Sequence, residues 1–134
     1  MNEMGLVCKW FDIARNDLIA AKHLFEDLYP RQVNISCYHA QQAAEKALKG
    51  FLQYKKTEPP KTHNLVLLCQ RCVSFNPVFS EIMNACTMLT PYSVITRYPN
   101  SIELLESEAD IAIQYAAKIY NLSASQIPEL DFTD

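Results

Sequence analysis

Glycine is nearly missing from this chain of 134 residues, which has only Gly5 and Gly50. Two isolated glycines cannot build a Walker loop or a dinucleotide-binding turn, because both need several backbone positions without side chains. Tight hairpins also draw on glycine, so a turn-rich β-sandwich is excluded. Any nucleotide must be held by side chains or helix ends. No stretch approaches the roughly eighteen consecutive apolar residues of a membrane span. An overall basic excess is lacking too. Twelve Lys and Arg face fifteen Asp and Glu, a net charge of −3, which is not a general nucleic-acid-binding signature. The five cysteines are odd in number, and no signal-like segment precedes them. They are expected to be reduced, buried thiols of a cytoplasmic protein.

Hydrophobic residues make up 49% and charged ones 20%, the composition of one globular domain with a single core. The charge is unevenly spread. Residues 31–61 carry six basic residues against Glu45 and Glu58, a local net charge of +4. Residues 103–134 carry seven acids against Lys118, a net −6. A basic face on an acidic protein follows from that asymmetry.

Apolar residues recur every three or four positions in segments separated by proline, which predicts an all-α chain. Trp10, Ala14, Leu18, Ala21, Leu24, Phe25 and Leu28 make one stripe, ended by Pro30. A second helix is expected from Asn34 or Ser36, as N-cap, to about Tyr54. Its buried face is Cys37, Ala40, Ala44, Ala47, Leu48 and Phe51. Thr62 is expected to cap a short third helix over residues 63–73. Asn76-Pro77 starts a fourth, which ends or kinks at Pro91. Asn100 with Glu103 reads as a capping box for a fifth helix reaching about Leu122. Its apolar face is Leu105, Ala109, Ala112, Ala116 and Ile119. The expected architecture is an up-and-down bundle of four long helices plus one short helix. Residues 1–122 form the domain, and 123–134 a loosely held acidic tail.

Several residues break the apolar pattern. His39, Gln42, Lys46, Lys49 and Gln53 share one polar arc of the second helix, either a solvated face or an anion-binding stripe. Gln41 lies nearer the apolar face. Asp17 and Glu108 project into apolar stripes, where a carboxylate needs a partner. They are either satisfied internally or form a polar pocket or dimer seam. Cys69 and Cys72 have metal-like spacing, but no second pair completes a zinc set, so packing is the reading and no metal or cofactor is expected. In the loop Thr96-Arg97-Tyr98-Pro99, Arg97 and Tyr98 offer a phosphate-and-base contact, or else Arg97 is a strut to Glu103 or Asp110.

The run Cys37-Tyr38-His39-Ala40-Gln41-Gln42-Ala43-Ala44-Glu45-Lys46-Ala47-Leu48-Lys49 closely resembles the second-helix signature of HEPN (higher eukaryotes and prokaryotes nucleotide-binding) domains. Ala14-Arg15-Asn16-Asp17-Leu18, Lys61-Thr62-His63-Asn64-Leu65, Thr96-Arg97-Tyr98-Pro99 and Glu106-Ser107-Glu108-Ala109 resemble further family motifs, in order. The resemblance spans about residues 10–122. It implies a helical bundle that commonly dimerises and often pairs with a minimal nucleotidyltransferase in a toxin–antitoxin-like module. Many members are metal-independent ribonucleases in which an arginine is followed, after a few residues, by a histidine. Here Arg15 and His23, and Arg31 and His39, are each eight positions apart, so that motif is missing. The expectation is a non-catalytic protein binding a nucleotide or RNA through Arg97, Tyr98, His39, Gln42 and Lys46, supported by Asp17 and Glu108. The alternatives are a divergent ribonuclease using His39 or His63, and a protein-docking scaffold.

Overall fold

The computed structural model describes residues 2–94, 99 and 102–130. Among them are five α-helices and no strand. Helix α1 spans Glu3–Glu26, α2 Val33–Tyr54, α3 Leu65–Phe75, α4 Met83–Leu89 and α5 Glu106–Ser125. The all-α bundle expected from periodicity is the fold.

Helix α2 is the axis of the molecule. Cys37, Ala40, Ala43, Ala44, Ala47 and Leu48 are wholly buried, so α2 is covered on more than one side. Ser36 Oγ donates to the Ala21 carbonyl at 2.7 Å, and Trp10 Nε1 donates to Gln53 at 3.3 Å. Contacts that descend α1 while ascending α2 make the two helices antiparallel. At Gly50 the approach is too close for a side chain, since a Cβ there would lie 2.6 Å from the Phe11 ring. The alanines permit the rest of that close packing. Phe11 also meets Tyr120 of α5 edge-on, with ring centroids 5.8 Å apart.

Helix boundaries moved where capping chemistry was ambiguous. Helix α1 begins two turns before Trp10, with Asn2 accepting from the Gly5 N–H at 2.6 Å. Neither Asn34 nor Ser36 caps α2. The Asn34 amide instead donates to the Ile102 carbonyl and its oxygen accepts from Leu104 N–H, tying down the chain ahead of α5. Asn64 rather than Thr62 caps α3. Asn76 accepts from the Val78 N–H as expected, but the fourth segment is not one helix. It runs as 3-10 turns over Pro77–Ile82, then α4, then 3-10 turns again over Thr90–Ser93. Pro91 lacks the N–H that continuing α4 would require, whereas Pro77 stands at the first position of its segment, where no such N–H is needed.

Helix α5 starts at Glu106, not beside Asn100, which lies outside the described residues. Leu105 is therefore ahead of the helix and 66% exposed, whereas Ala109, Ala112, Ala116 and Ile119 are buried. The boundary expected at 122 falls within α5. Ser123, Ala124 and Ile127 are buried, and Glu129 accepts from Tyr54 Oη at 3.0 Å. Residues 123–130 thus belong to the packed body, and 131–134 lie outside the described residues.

Candidate functional site

The polar arc of α2 is not a solvated face. Lys49 is only 7% exposed and Glu45 is 0% exposed, because α3 and the segment before it cover what an isolated helix would show to water. Glu45 Oε2 accepts from Lys49 Nζ at 3.0 Å and Lys46 Nζ at 3.2 Å. Its Oε1 meets His63 Nδ1 at 2.8 Å. Gln41, fully buried, donates to the His63 carbonyl at 3.0 Å, and its oxygen accepts from Gln42 Nε2 at 2.7 Å. One buried carboxylate thereby holds two ammonium groups and an imidazole. Burial acts to raise the Glu45 pKa, but the His63 and Lys49 hydrogen bonds and the Lys46 and Lys49 charges outweigh it and hold it below the usual carboxylate range.

A second carboxylate–imidazole pair lies on a different side of α2, along its seam with α1. Asp17 Oδ1 and His39 Nδ1 are 2.9 Å apart, with side chains 19% and 29% exposed. Farther along, Lys46 Nζ sits 6.0 Å from the centroid of the Trp10 ring, and Gln53 bridges Trp10 to Glu3. His39 and Lys46 therefore meet α1, and Gln42, between them on α2, donates to Gln41. All three are half-buried.

Asp17 and Glu108 serve different ends. Asp17 is satisfied by His39. Glu108 accepts from the Leu105 N–H at 2.7 Å, which fills an orphan donor at the start of α5. Its charge also reaches Cys37 and Tyr92. Burial first, and then Glu108, push the Cys37 thiol up to about 12. Burial, Cys37 and Glu108 together push the Tyr92 phenol to about 12. Arg97 and Tyr98 lie outside the described residues. Of the acids considered as struts for Arg97, Asp110 accepts from Gln114. Glu106, a neighbour of Glu103, pairs with Arg31 at 3.0 Å.

Sequence reasoning missed Glu45 as the centre of the cluster. Its i,i+4 relation to Lys49 and i,i+1 relation to Lys46 were readable. The partner from 18 residues away, His63, was not. The cysteines of the third helix are occupied in packing: Cys69 donates to the Phe79 carbonyl and Cys72 to that of Leu48. Cys37, Cys69, Cys72 and Cys86 are buried, and Cys8 is exposed. Among the described residues no helix is long and apolar enough to cross a membrane.

Comparison with solved structures places this geometry in context. TT1696 from Thermus thermophilus is 26% identical, with a TM-score of 0.78 over 90% of this chain and 98% of that one. ST0689, an archaeal HEPN homologue, is 29% identical, with a TM-score of 0.71 over 90% of this chain and 97% of that one. Among curated proteins, none matches the sequence. The HEPN domain family model matches residues 7–127, nearly the whole helical body including α5 and the buried Ile127. The chain is a member of the HEPN family.

Proposed function

We propose that this HEPN protein binds a nucleotide or polynucleotide along the α1–α2 seam, without catalysing a reaction, and works beside a minimal nucleotidyltransferase. The observation that carries the reading is the charge arrangement around Glu45. Two ammonium groups share one carboxylate, so one positive charge is left for an external anion. Lys46 is the more accessible of the two, with its side chain 22% exposed. Phosphate suits that position, since a charge-assisted bond there would complete a pair already half-desolvated. Trp10 beside it offers a face on which a base can stack. His39 on the same seam, and Gln42 between it and Lys46 on α2, supply further polar contacts, and Arg97 and Tyr98 are proposed to complete the site. The partnership with a nucleotidyltransferase, and a toxin–antitoxin-like setting, rest on the family resemblance. A two-fold homodimer, the commonest closed assembly, is proposed as the working unit.

The test is a panel of mononucleotides and short RNAs, read by thermal stabilisation and titration. A ligand that stabilises the wild type and loses about tenfold or more in affinity on Lys46→Ala supports the seam. Failure of the whole panel to bind sinks it. Co-expression with the neighbouring nucleotidyltransferase, if such a gene adjoins this one, checks the partner by co-elution.

One observation favours a second reading, a divergent ribonuclease. A carboxylate that orients a partly exposed imidazole, as Asp17 does for His39, is the arrangement of a general base. RNA cleavage by the purified protein, abolished by His39→Ala, would replace the binding role with this one.

A further inference from the structure

A groove of about 660 Å³ opens on another side of α1, walled by α1, the C-terminal half of α5 and the segment that follows it. Its α1 wall is Arg15, Leu18, Ile19 and Lys22, and the opposite side includes Asn121, Ala124 and Ile127. It is separate from the seam: Arg15 and Asp17 are two residues apart, which turns them roughly 200° from each other around the helix.

Among the described residues the charged side chains that line the groove are two cations, in a chain of net charge −3, and the charge of Asp12 also reaches the lining Tyr120. Arg15 and Lys22 are both exposed, about 10 Å apart along the helix axis, since seven residues rise by that much. Between them the floor is apolar, with Leu18, Ala124 and the buried Ile127, and Ile19 is 54% exposed at the rim. Asn121 adds an amide that can both donate and accept. The volume lies within the range of roughly 300–1,000 Å³ typical of small-molecule sites.

We propose that this groove binds a small amphipathic anion, with its carboxylate or phosphate head on Lys22 and its apolar body over Leu18, Ala124 and Ile127. A fully hydrophilic anion gains nothing from that floor. A neutral apolar ligand gains nothing from the positive charge of the α1 wall. The two head groups share the same charge-assisted bonding, so the source is decided by competition.

The probe is anilinonaphthalene sulfonate, an amphipathic anion whose fluorescence rises on leaving water, titrated into the intact chain. Saturable binding of one probe per chain is expected. Lys22→Glu should weaken it by about tenfold or more, through loss of a charged contact and gain of repulsion. Arg15→Gln should weaken it less. Asn121→Trp, which fills the groove from an exposed position, should abolish it, and Lys118→Glu on the exposed side of α5 should leave it unchanged. All variants are compared at matched helicity by circular dichroism. Displacement by adenosine monophosphate identifies a phosphate head on a ring, and displacement by octanoate a carboxylate on an acyl chain. Displacement by neither, non-saturable binding, or equal binding in Lys22→Glu and Asn121→Trp overturns the proposal. None of these residues belongs to the seam, so either site can fail while the other stands.

Discussion

Two of the three carboxylate–histidine pairs among the described residues join different elements at nearly the same separation, 2.8 Å for Glu45–His63 and 2.9 Å for Asp17–His39. Their surroundings differ. The Glu45 side chain is wholly buried and also holds Lys46 and Lys49. Asp17 keeps 19% of its side-chain exposure. A charge taken out of water must be fully partnered or it destabilises the fold, while a partly wet pair contributes little. The two carboxylates thus serve differently: Glu45 is a buried structural clamp between α2 and the α3 region, although its partner His63 is 67% exposed, and Asp17 is a partly exposed polar feature of the seam.

Glu45→Ala has the largest expected effect. It leaves Lys49 buried without its carboxylate, and the expected loss is about 3–5 kcal/mol of stability, measured by denaturant unfolding. If Glu45→Ala and Asp17→Ala cost the same, burial is not what separates the pairs. Acid unfolding sharpens the point. The Glu45 carboxyl titrates below its ordinary value of 4.5 in the folded protein. Its contribution is therefore complete above that value and is lost as pH falls through the lower, folded one. Glu45→Gln should flatten the stability–pH curve in that window.

Arg97 comes next in expected size. Arg97→Ala should weaken nucleotide binding by roughly 1.5–3 kcal/mol, the range for a hydrogen bond to a charged group. Arg97→Lys should recover only part, because lysine keeps the charge without the planar fork. Unchanged affinity with a lowered melting temperature would make Arg97 a strut instead. The smallest effect belongs to the half-buried Asp17–His39 pair. Asp17→Asn should cost at most about 1 kcal/mol of stability, and calorimetry showing a loss as large as that of Glu45→Ala would contradict the contrast drawn above.

The all-α class, most of the apolar faces and the family are legible in the chain alone, whereas the broken fourth segment and the start of α5 are not. Periodicity at three and four residues and proline punctuation report local backbone physics, and the second-helix run from Cys37 to Lys49 carries the HEPN signature. The small alanines of α2 already point to a close neighbour, whereas the role of Gly50 shows only in the structure, where the Phe11 ring fills the space of a Cβ. Only the tertiary structure decided what the polar residues do. A helical projection orders Lys49 and His39 on one arc but cannot say how many elements cover it. Burial of Lys49 and Glu45 depends on α3 and the residues before it, which arrive from a distant part of the chain. Asn34 was read as a cap and instead anchors the chain before α5. Glu108 was read as a core carboxylate and instead caps that helix. In each case several partners were chemically equivalent in sequence, and chain geometry selected one.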